Sequence, residues 1–395
     1  MTVPIDRPLC FVVTRNHGSL IDTMAFLHGT ELVHRSVLLL PPDLYTTNSS
    51  SLPVKTREYR SFLDLVQWIE REQPSLVFLF CGYLLTSQGL LSASELKRLL
   101  RLLQDRACPV VTNDPCWGLL ESRMPMASGL PTRRFLDKLL KAWVEWLIPH
   151  KLRQSYRLLK NQIHCYPVSV DRAPWSRSFR TVAHFNPNLL ASFDHTADAP
   201  GAGNGWSRPM DRPYWLFILA TLDYNIQVNL HGAAAFIEGL VAHLRHANDQ
   251  GRCAVLVAPE ECLAAVRAAG ELRDVDLIGF CDYQRYVSLL LFAEYAFYWN
   301  IASSSSFFRL ANGLPVFFFD QGHVSRWFQS FFDRTVELVY RGHMPTILDH
   351  RAPLVPEQLQ ALAQAYRDHA RDIVQQLKLL PTPDAMVARL LERER

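Results

Sequence analysis

The sequence predicts an α/β protein made of two successive halves, each with its own sheet and helices. Short runs that are apolar throughout alternate with segments of helical spacing, first before residue 193 and again after residue 214. Such strands are typical of parallel sheets that helices cover on both faces. A segment rich in glycine and proline separates the two series. These observations favour two Rossmann-like domains with mostly parallel sheets.

The composition excludes several other classes of protein. The chain has 395 residues, of which 49% are hydrophobic and 20% are charged, as in ordinary globular proteins and unlike disordered or collagen-like chains. Its 41 basic and 38 acidic residues leave a net charge of only +3, so nucleic acid is not an expected partner. The eight cysteines form no CxxC pair. They lie mostly in apolar runs, which indicates buried, reduced thiols of a cytoplasmic protein.

The first domain is predicted at residues 1–193. Its first strand ends in a turn-forming segment that contains Gly18, and its second strand stops at the consecutive prolines Pro41 and Pro42. The predicted strands are 9–13, 36–40, 76–80 and 109–111, and the predicted helices are 20–27, 59–72 and 93–104.

Residues 194–213 are predicted to be a linker, because they hold three glycines at alternate positions and show no apolar periodicity. The second domain is predicted at 214–395 and ends in a helical tail that begins near Pro356. Its predicted strands are 215–220, 254–257, 277–280, 295–299 and 315–319, and its predicted helices are 233–245, 259–269, 286–292 and 304–311.

Two loops of the first domain carry candidate reactive side chains. Ligands of open α/β sheets bind beyond the carboxyl ends of the strands, which selects the loops that follow the first and fourth strands. In the first loop, Asn16 and Gly18 are candidate ligand contacts, His17 is a candidate general base, and Asp22 is an alternative base or an orienting partner. In the second loop, Asp114 is a candidate to orient a substrate hydroxyl. A capped turn and an ordinary Asp-Pro turn explain the same residues without a ligand, so both interpretations stay open.

The second domain contains the strongest motif, a run of four serines that follows the strand 295–299 and includes the start of the helix 304–311. Serine hydroxyls and the amides at a helix N-terminus together suit phosphate oxygens, and an arginine in that helix adds a cation. Plain helix capping with packing is the alternative. The candidate ligand-binding residues of this domain are Asp223, Asn225, Ser303, Ser304, Ser305, Ser306, Arg309 and Asp320.

The end of that motif resembles the second domain of GT-B glycosyltransferases, in which a helix after a small polar loop carries an Ala-x-Gly-x-Pro-Val pattern. The matching residues here are Ala311, Gly313, Pro315 and Val316. Residues 306–315 also resemble the donor segment of protein-arginine rhamnosyltransferases, and the loop around His17 and Gly18 resembles that family's acceptor-side glycine loop. One departure is that serines stand where many GT-B enzymes have an acidic residue that binds the donor ribose.

The resemblance implies a GT-B-like fold and the transfer of a sugar from a nucleotide-sugar donor to an acceptor that the sequence does not identify. The second domain is expected to hold the donor, and the first to bind the acceptor and supply the base. No metal and no cofactor are expected, since helix amides and Arg309 are suited to stabilise the leaving diphosphate. The alternatives are a non-catalytic GT-B-like subunit that binds a partner protein and a sugar-nucleotide epimerase of the same fold.

A basic amphipathic segment at 133–153 adds an expectation about membranes. Leu136, Leu140 and Trp143 share one face of a helix, and basic residues share another. Such a helix is suited to lie on an anionic membrane surface, although helices of this kind more often pack on their own sheet. No apolar stretch reaches the ~20 residues that a transmembrane helix needs. We therefore expect a cytoplasmic protein, with peripheral contact at the inner membrane surface as an option.

Overall fold

The computed structural model confirms the α/β class and shows two parallel β-sheets, each in a unit of its own. One unit comprises Met1–Leu189 together with Gln376–Arg395, and the other comprises Leu190–Gln375. The structure describes residues 7–114, 152, 154–170, 180–190, 206, 208–270, 272–319 and 329–393.

The first sheet has seven strands, and every neighbouring pair is parallel. Its strands are β1 (Leu9–Val12), β2 (Ser36–Leu40), β3 (Lys55–Glu58), β4 (Leu76–Leu79), β5 (Val110–Thr112), β6 (Ile163–Tyr166) and β7 (Arg180–Ala183). Their order across the sheet is β3-β2-β1-β4-β5-β6-β7. Successive strands are therefore added on one side of β1 up to β3 and on its other side from β4 onward. The position between β1 and β4 is a topological switch point, and open α/β sheets bind ligands at such points.

The helices of this part of the chain are α1 (His17–Leu27), α2 (Pro42–Asn48), α3 (Phe62–Glu72), α4 (Leu84–Ser87) and α5 (Ala93–Asp105). The sequence analysis missed α2, because Pro41 and Pro42 indicate the end of a strand. They also begin this helix, since proline at the first helical position loses no hydrogen bond. The apolar pattern also does not predict three of the strands, β3, β6 and β7. Of these, β3 is charged and half-exposed at the sheet edge, so it lacks the apolar pattern of a buried strand.

The second sheet has six strands, again with parallel neighbours throughout. Its strands are β8 (Tyr214–Ile218), β9 (Cys253–Val257), β10 (Val275–Ile278), β11 (Tyr295–Tyr298), β12 (Val316–Phe319) and β13 (Ile347–Leu348), in the order β10-β9-β8-β11-β12-β13. The rings of Phe217 and Phe297 stack with centroids 4.8 Å apart in its core. The switch point of this sheet lies between β8 and β11.

The helices that follow are α6 (Thr221–His231), α7 (Ala233–Asp249), α8 (Glu260–Ala268), α9 (Tyr283–Phe292), α10 (Ser304–Ala311), α11 (Gln329–Leu338), α12 (Pro356–Leu377) and α13 (Pro383–Arg393). The start of α6 was expected to be a loop. Its buried face consists of Asp223, Tyr224 and Gln227, so the sequence shows no apolar stripe at helical spacing.

The C-terminal segment belongs to the first unit, whereas the sequence analysis assigned the whole of 214–395 to the second domain. The amide of Phe185 donates to the carbonyl oxygen of Pro381 at 2.9 Å. The sulfur of Met386 on α13 lies 3.4 Å from the sulfur of Cys165 on β6. These contacts make α13 part of the helical cover of the first sheet.

Two predicted segments fall largely on residues that the structure does not describe. The linker 194–213 is described only at residue 206 and from 208 onward, and the basic segment 133–153 only at residue 152. Both stay predictions. In the described ranges, no helix combines the length and the apolar character needed to cross a membrane.

We expect Met386→Ala to destabilise the first unit by about 2–5 kcal/mol, because it removes a buried side chain from a packed interface. Met386 is 2% exposed. Urea unfolding measures the effect, and Leu379→Ala is the control because Leu379 is 85% exposed in the same segment. Equal losses of stability in the two variants would show that α13 is not packed as described.

Candidate functional site

The site in the first unit begins at α1, which starts directly after β1 at the switch point. Asn16 caps this helix, with its side-chain oxygen accepting from the amide of Gly18 at 2.9 Å. Gly18 lies in the first turn of the helix, so it does not form the tight turn that the sequence suggested. The hydroxyl of the buried Ser19 donates to the carbonyl of Phe80 at 3.0 Å and ties α1 to the chain beyond β4. Asn16 and Gly18 thus have a clear structural role.

His17 occupies the first position of α1 and is partly buried. Burial lowers the pKa of its imidazole from 6.5 to about 4, because the charged form loses hydration. The imidazole is therefore neutral at pH 7, which is the form that a general base requires. The low pKa also makes it a weak base until a neighbouring charge or a bound substrate changes its surroundings.

Two carboxylates, Asp22 on α1 and Asp114 after β5, act on the same residue, Cys81, just beyond β4. An Asp22 oxygen lies 4.0 Å from the Cys81 sulfur. Burial first, and then the charges of Asp22 and Asp114, raise the pKa of the Cys81 thiol. The amide of Cys81 donates to the side-chain oxygen of Asn113, and Cys81 has a left-handed backbone with φ of 54°. Asp22 thus lies next to Cys81, and the charge of Asp114 also acts on its thiol. The strands that precede these three residues, β1, β4 and β5, are consecutive in the sheet.

The sequence analysis gave no role to Cys81 and Asn113. The sequence pattern groups Cys81 with the other buried cysteines, and Asn113 directly precedes the candidate Asp114. Their position was a usable signal, since Cys81 follows β4, which borders the switch point, and Asn113 follows β5, the next strand of the sheet.

In the second unit, α6 and α10 begin after β8 and β11, which are neighbours in the sheet. Asp223 in the first turn of α6 is buried, and its carboxylate accepts from the side-chain amide of Asn300 at 3.3 Å. Asn300 follows β11 and accepts from the amide of Ala302 at 2.9 Å. Asn225 lies exposed on α6. Asn300 therefore links the first turn of α6, through Asp223, to the serine loop, the segment 300–306 that follows β11 and leads into α10.

The four serines have different roles. Ser305 is buried in a hydroxyl network in which Tyr286 donates to it at 3.0 Å, it donates to Tyr298 at 3.2 Å, and the Ser303 hydroxyl lies 3.0 Å away. The Ser306 hydroxyl donates to the carbonyl of Ser303 at 2.7 Å. These hydroxyls are engaged within the protein, which corrects the expectation that all four serines offer theirs to a ligand.

The N-terminus of α10 has no side-chain cap. Ser303 is at the N-cap position, yet its hydroxyl points to Ser305 and accepts no amide of its own helix. Ser304 is partly exposed and forms no hydrogen bond to the described residues through its hydroxyl. Likewise, Ala220 at the N-cap of α6 provides no side-chain acceptor. Two helix N-termini at adjacent strands thus keep amide groups that a ligand oxygen is able to use.

Arg309 does not belong to the ligand-binding residues. Its side chain is fully buried, with an exposed fraction of 0%. The guanidinium donates to the carbonyls of Leu290, Ala293 at 3.1 Å and Pro315 at 2.9 Å, which binds the end of α9 to the chain before β12. Burial lowers its pKa to about 10, so it stays charged at pH 7. This geometry replaces the expected diphosphate contact of Arg309 by a structural role.

Phe280 is a surface feature that the sequence analysis overlooked. It follows β10 at the carboxyl edge of the second sheet and is 56% exposed, which is unusual for a phenylalanine. Leu222, at the start of α6, is 62% exposed at the same edge. The remaining predicted residue, Asp320, lies outside the described residues.

Comparison with solved structures identifies the architecture. Os79 from O. sativa, solved in complex with UDP, aligns with 98% of this chain and 100% of its own at a TM-score of 0.55 and 12% identity. The spinosyn forosaminyltransferase SpnP aligns with 98% of this chain and 99% of its own at a TM-score of 0.52 and 15% identity. The chain has the GT-B fold. No protein-family model and no curated protein sequence matches it.

The GT-B fold confirms the architecture that the Ala311 to Val316 pattern suggested. A third similar structure, the glycotransferase of kitacinnamycin, covers 99% of this chain and 100% of its own at a TM-score of 0.50 and 14% identity. Within the described part of this GT-B chain, no three His, Cys, Asp or Glu side chains are grouped to hold a metal ion.

We expect Arg309→Met to lower the free energy of unfolding of the second unit by about 3 kcal/mol or more. The change leaves several buried carbonyls without their donor. Chemical denaturation measures the loss. The control is Arg267→Met, since the Arg267 side chain is 50% exposed in an ion pair with Glu260, and such pairs contribute ~0–1 kcal/mol. A normally stable Arg309→Met protein that no longer binds nucleotide would instead restore the ligand role.

Proposed function

We propose that the chain is a glycosyltransferase that moves a sugar from a nucleotide-sugar donor on the second unit to an acceptor hydroxyl on the first. The observation that carries the proposal is the pair of uncapped helix N-termini, α6 and α10, at adjacent strands of the second sheet. Helix N-termini carry partial positive charge and unpaired amides, and both favour a diphosphate. Two structures of the same fold support it, one solved with UDP and one named a forosaminyltransferase.

The donor has room to lie along the carboxyl edge of the second sheet. Phe280 follows β10, and α10 begins after β11. These two strands are three positions apart in the sheet. Neighbouring strands are spaced ~4.8 Å apart, so the two features are about 14 Å from one another. That distance suits a nucleoside diphosphate with its base stacked on Phe280 and its phosphates at α10, and Ser304 supplies a hydroxyl there.

The reaction needs one proton removal and one stabilised leaving group. A base takes the proton of the acceptor hydroxyl, the oxygen forms the new bond to the anomeric carbon, and the bond from that carbon to the diphosphate breaks. We assign the base to His17 or Asp22, with Asp114 orienting the hydroxyl. Amides of α6 and α10 stabilise the charge that develops on the diphosphate, so this scheme requires neither a metal nor a cofactor.

The first test is donor binding. We expect a UDP-, GDP- or dTDP-sugar to raise the melting temperature by mass action. At a ligand concentration of one hundred times Kd, the free energy of unfolding should rise by about 2.7 kcal/mol. EDTA should leave the shift unchanged. Phe280→Ala should weaken binding by about 1–3 kcal/mol, the usual contribution of base stacking on an aromatic ring.

Leu63→Ala serves as the control for Phe280→Ala, since Leu63 is 59% exposed on α3 of the other unit and should leave donor binding unchanged. A wild-type protein that binds none of the three donors would refute the glycosyltransferase proposal and favour the non-catalytic subunit. Conversion of the donor to an epimeric nucleotide-sugar without transfer would favour the epimerase.

The second test concerns the base. We expect His17→Ala or Asp22→Ala to lower turnover by about 10²–10⁴-fold, the usual contribution of general-base catalysis, and to leave donor affinity nearly intact. Turnover, donor Kd and melting temperature should be measured on both variants. If the two residues only stabilise α1, the melting temperature falls and turnover follows in proportion. Full turnover in both would exclude this helix as the source of the base and leave Asp114.

A further inference from the structure

The inward face of α6 is polar, and one of its side chains has no hydrogen-bond partner. Gln227 has an exposed fraction of 0%, and neither its amide oxygen nor its amide nitrogen is hydrogen-bonded to any of the described residues. A buried amide without partners costs free energy, so native proteins rarely leave one. The feature therefore indicates a polar group that belongs beside Gln227 when the protein is at work.

Gln227 lies one turn beyond Asp223, near the start of α6. It is four residues after Asp223 on α6, and residues at this spacing are neighbours on one helix face. Asp223 in turn is hydrogen-bonded to Asn300, which follows β11. The unpartnered amide and the buried carboxylate thus share one face of the helix that begins at the switch point of the second sheet.

We propose that Gln227 and Asp223 bind a pair of adjacent hydroxyl groups of the donor, an assignment that rests on the proposed glycosyltransferase function. Each hydroxyl both donates and accepts a hydrogen bond. The carboxylate of Asp223 accepts from one hydroxyl, and the amide of Gln227 donates to the diol and accepts from it. These two side chains do not themselves hold the diphosphate, because a carboxylate repels phosphate oxygens; the diphosphate instead meets the main-chain amides at the helix start.

A nucleotide-sugar has two such diols, one on the ribose and one on the transferred sugar. Both offer the same hydrogen-bonding groups, so the experiment must separate them. The probes are UDP, 2′-deoxy-UDP and UDP-glucose, with GDP, 2′-deoxy-GDP and GDP-mannose as the guanosine set. Binding of each probe is measured by calorimetry on the full chain.

The variant is Gln227→Leu, which keeps nearly the same volume and removes the polar atoms. We expect two opposite effects: the melting temperature of the ligand-free protein rises, because an unpartnered buried amide is gone, and the Kd of the bound probe rises about tenfold or more. Gln360→Leu is the matched control, because Gln360 is exposed on α12 in the same unit and should change neither quantity. Gln227→Met repeats the test if the leucine variant folds poorly.

The pattern across probes identifies the diol. A ribose contact predicts equal losses for UDP and UDP-glucose, and a wild-type preference for UDP over 2′-deoxy-UDP that the variant loses. A contact to the transferred sugar predicts a loss for UDP-glucose alone. If wild type binds a probe and Gln227→Leu binds it equally well, the proposal is wrong and the amide holds only water. If wild type binds only a dTDP-sugar, which has no 2′-hydroxyl, the ribose diol is excluded, and equal binding by Gln227→Leu again overturns the proposal. If wild type binds none of these probes and no dTDP-sugar, the proposed function fails first and this assignment fails with it.

Discussion

The whole structure depends on the parallel pairing of its strands. In a parallel sheet every strand ends at the same edge, so each helix that follows a strand begins there with its amides directed outward. The second sheet uses this edge for α6 and α10 at neighbouring strands, and the first uses it for α1, Cys81 and Asn113. Residues far apart in the chain therefore meet without any special local motif.

A buried charge holds the second edge in shape. Arg309 carries a full positive charge at zero exposure, and it remains there because backbone carbonyls around the end of α9 and before β12 accept its hydrogen bonds. The negative end of α9 adds to this stabilisation. The serine segment is held by the hydrogen bonds of Ser305 to its two tyrosine partners. The Ser303 hydroxyl bonds to Ser305 and therefore does not cap the helix. The hydrogen bonds of Ser303 and Ser305 within the protein thus explain why the first amides of α10 have no side-chain cap.

The sequence was sufficient for the fold class and for most elements with strong apolar patterns, such as β1, β4, β9 and α5. It failed where the pattern is weak for a physical reason. β3 is a charged edge strand, α2 starts at prolines, and α6 buries polar residues. Among the candidate site residues, the positions at the strand ends followed from the topology of parallel sheets. The role of Arg309 did not, because only the folded chain shows that backbone carbonyls surround its guanidinium, and the sequence shows a cation in the helix after the serines in either case.

The two edges differ in chemistry, and this difference fits a division of work between the units. The first edge carries Asp22 4.0 Å from the Cys81 sulfur, Asp114 after β5 and, at the start of α1, a histidine that burial keeps neutral, so it is suited to accept a proton. The second edge presents helix amides and an exposed aromatic ring, so it is suited to an anion and a base. A carboxylate at the second edge needs a separate explanation, since Asp223 would repel a diphosphate at close range. Its pairing with Asn300 and its position one turn before Gln227 are the observations on which the proposed hydroxyl recognition rests, since a carboxylate and an amide are complementary to hydroxyl groups.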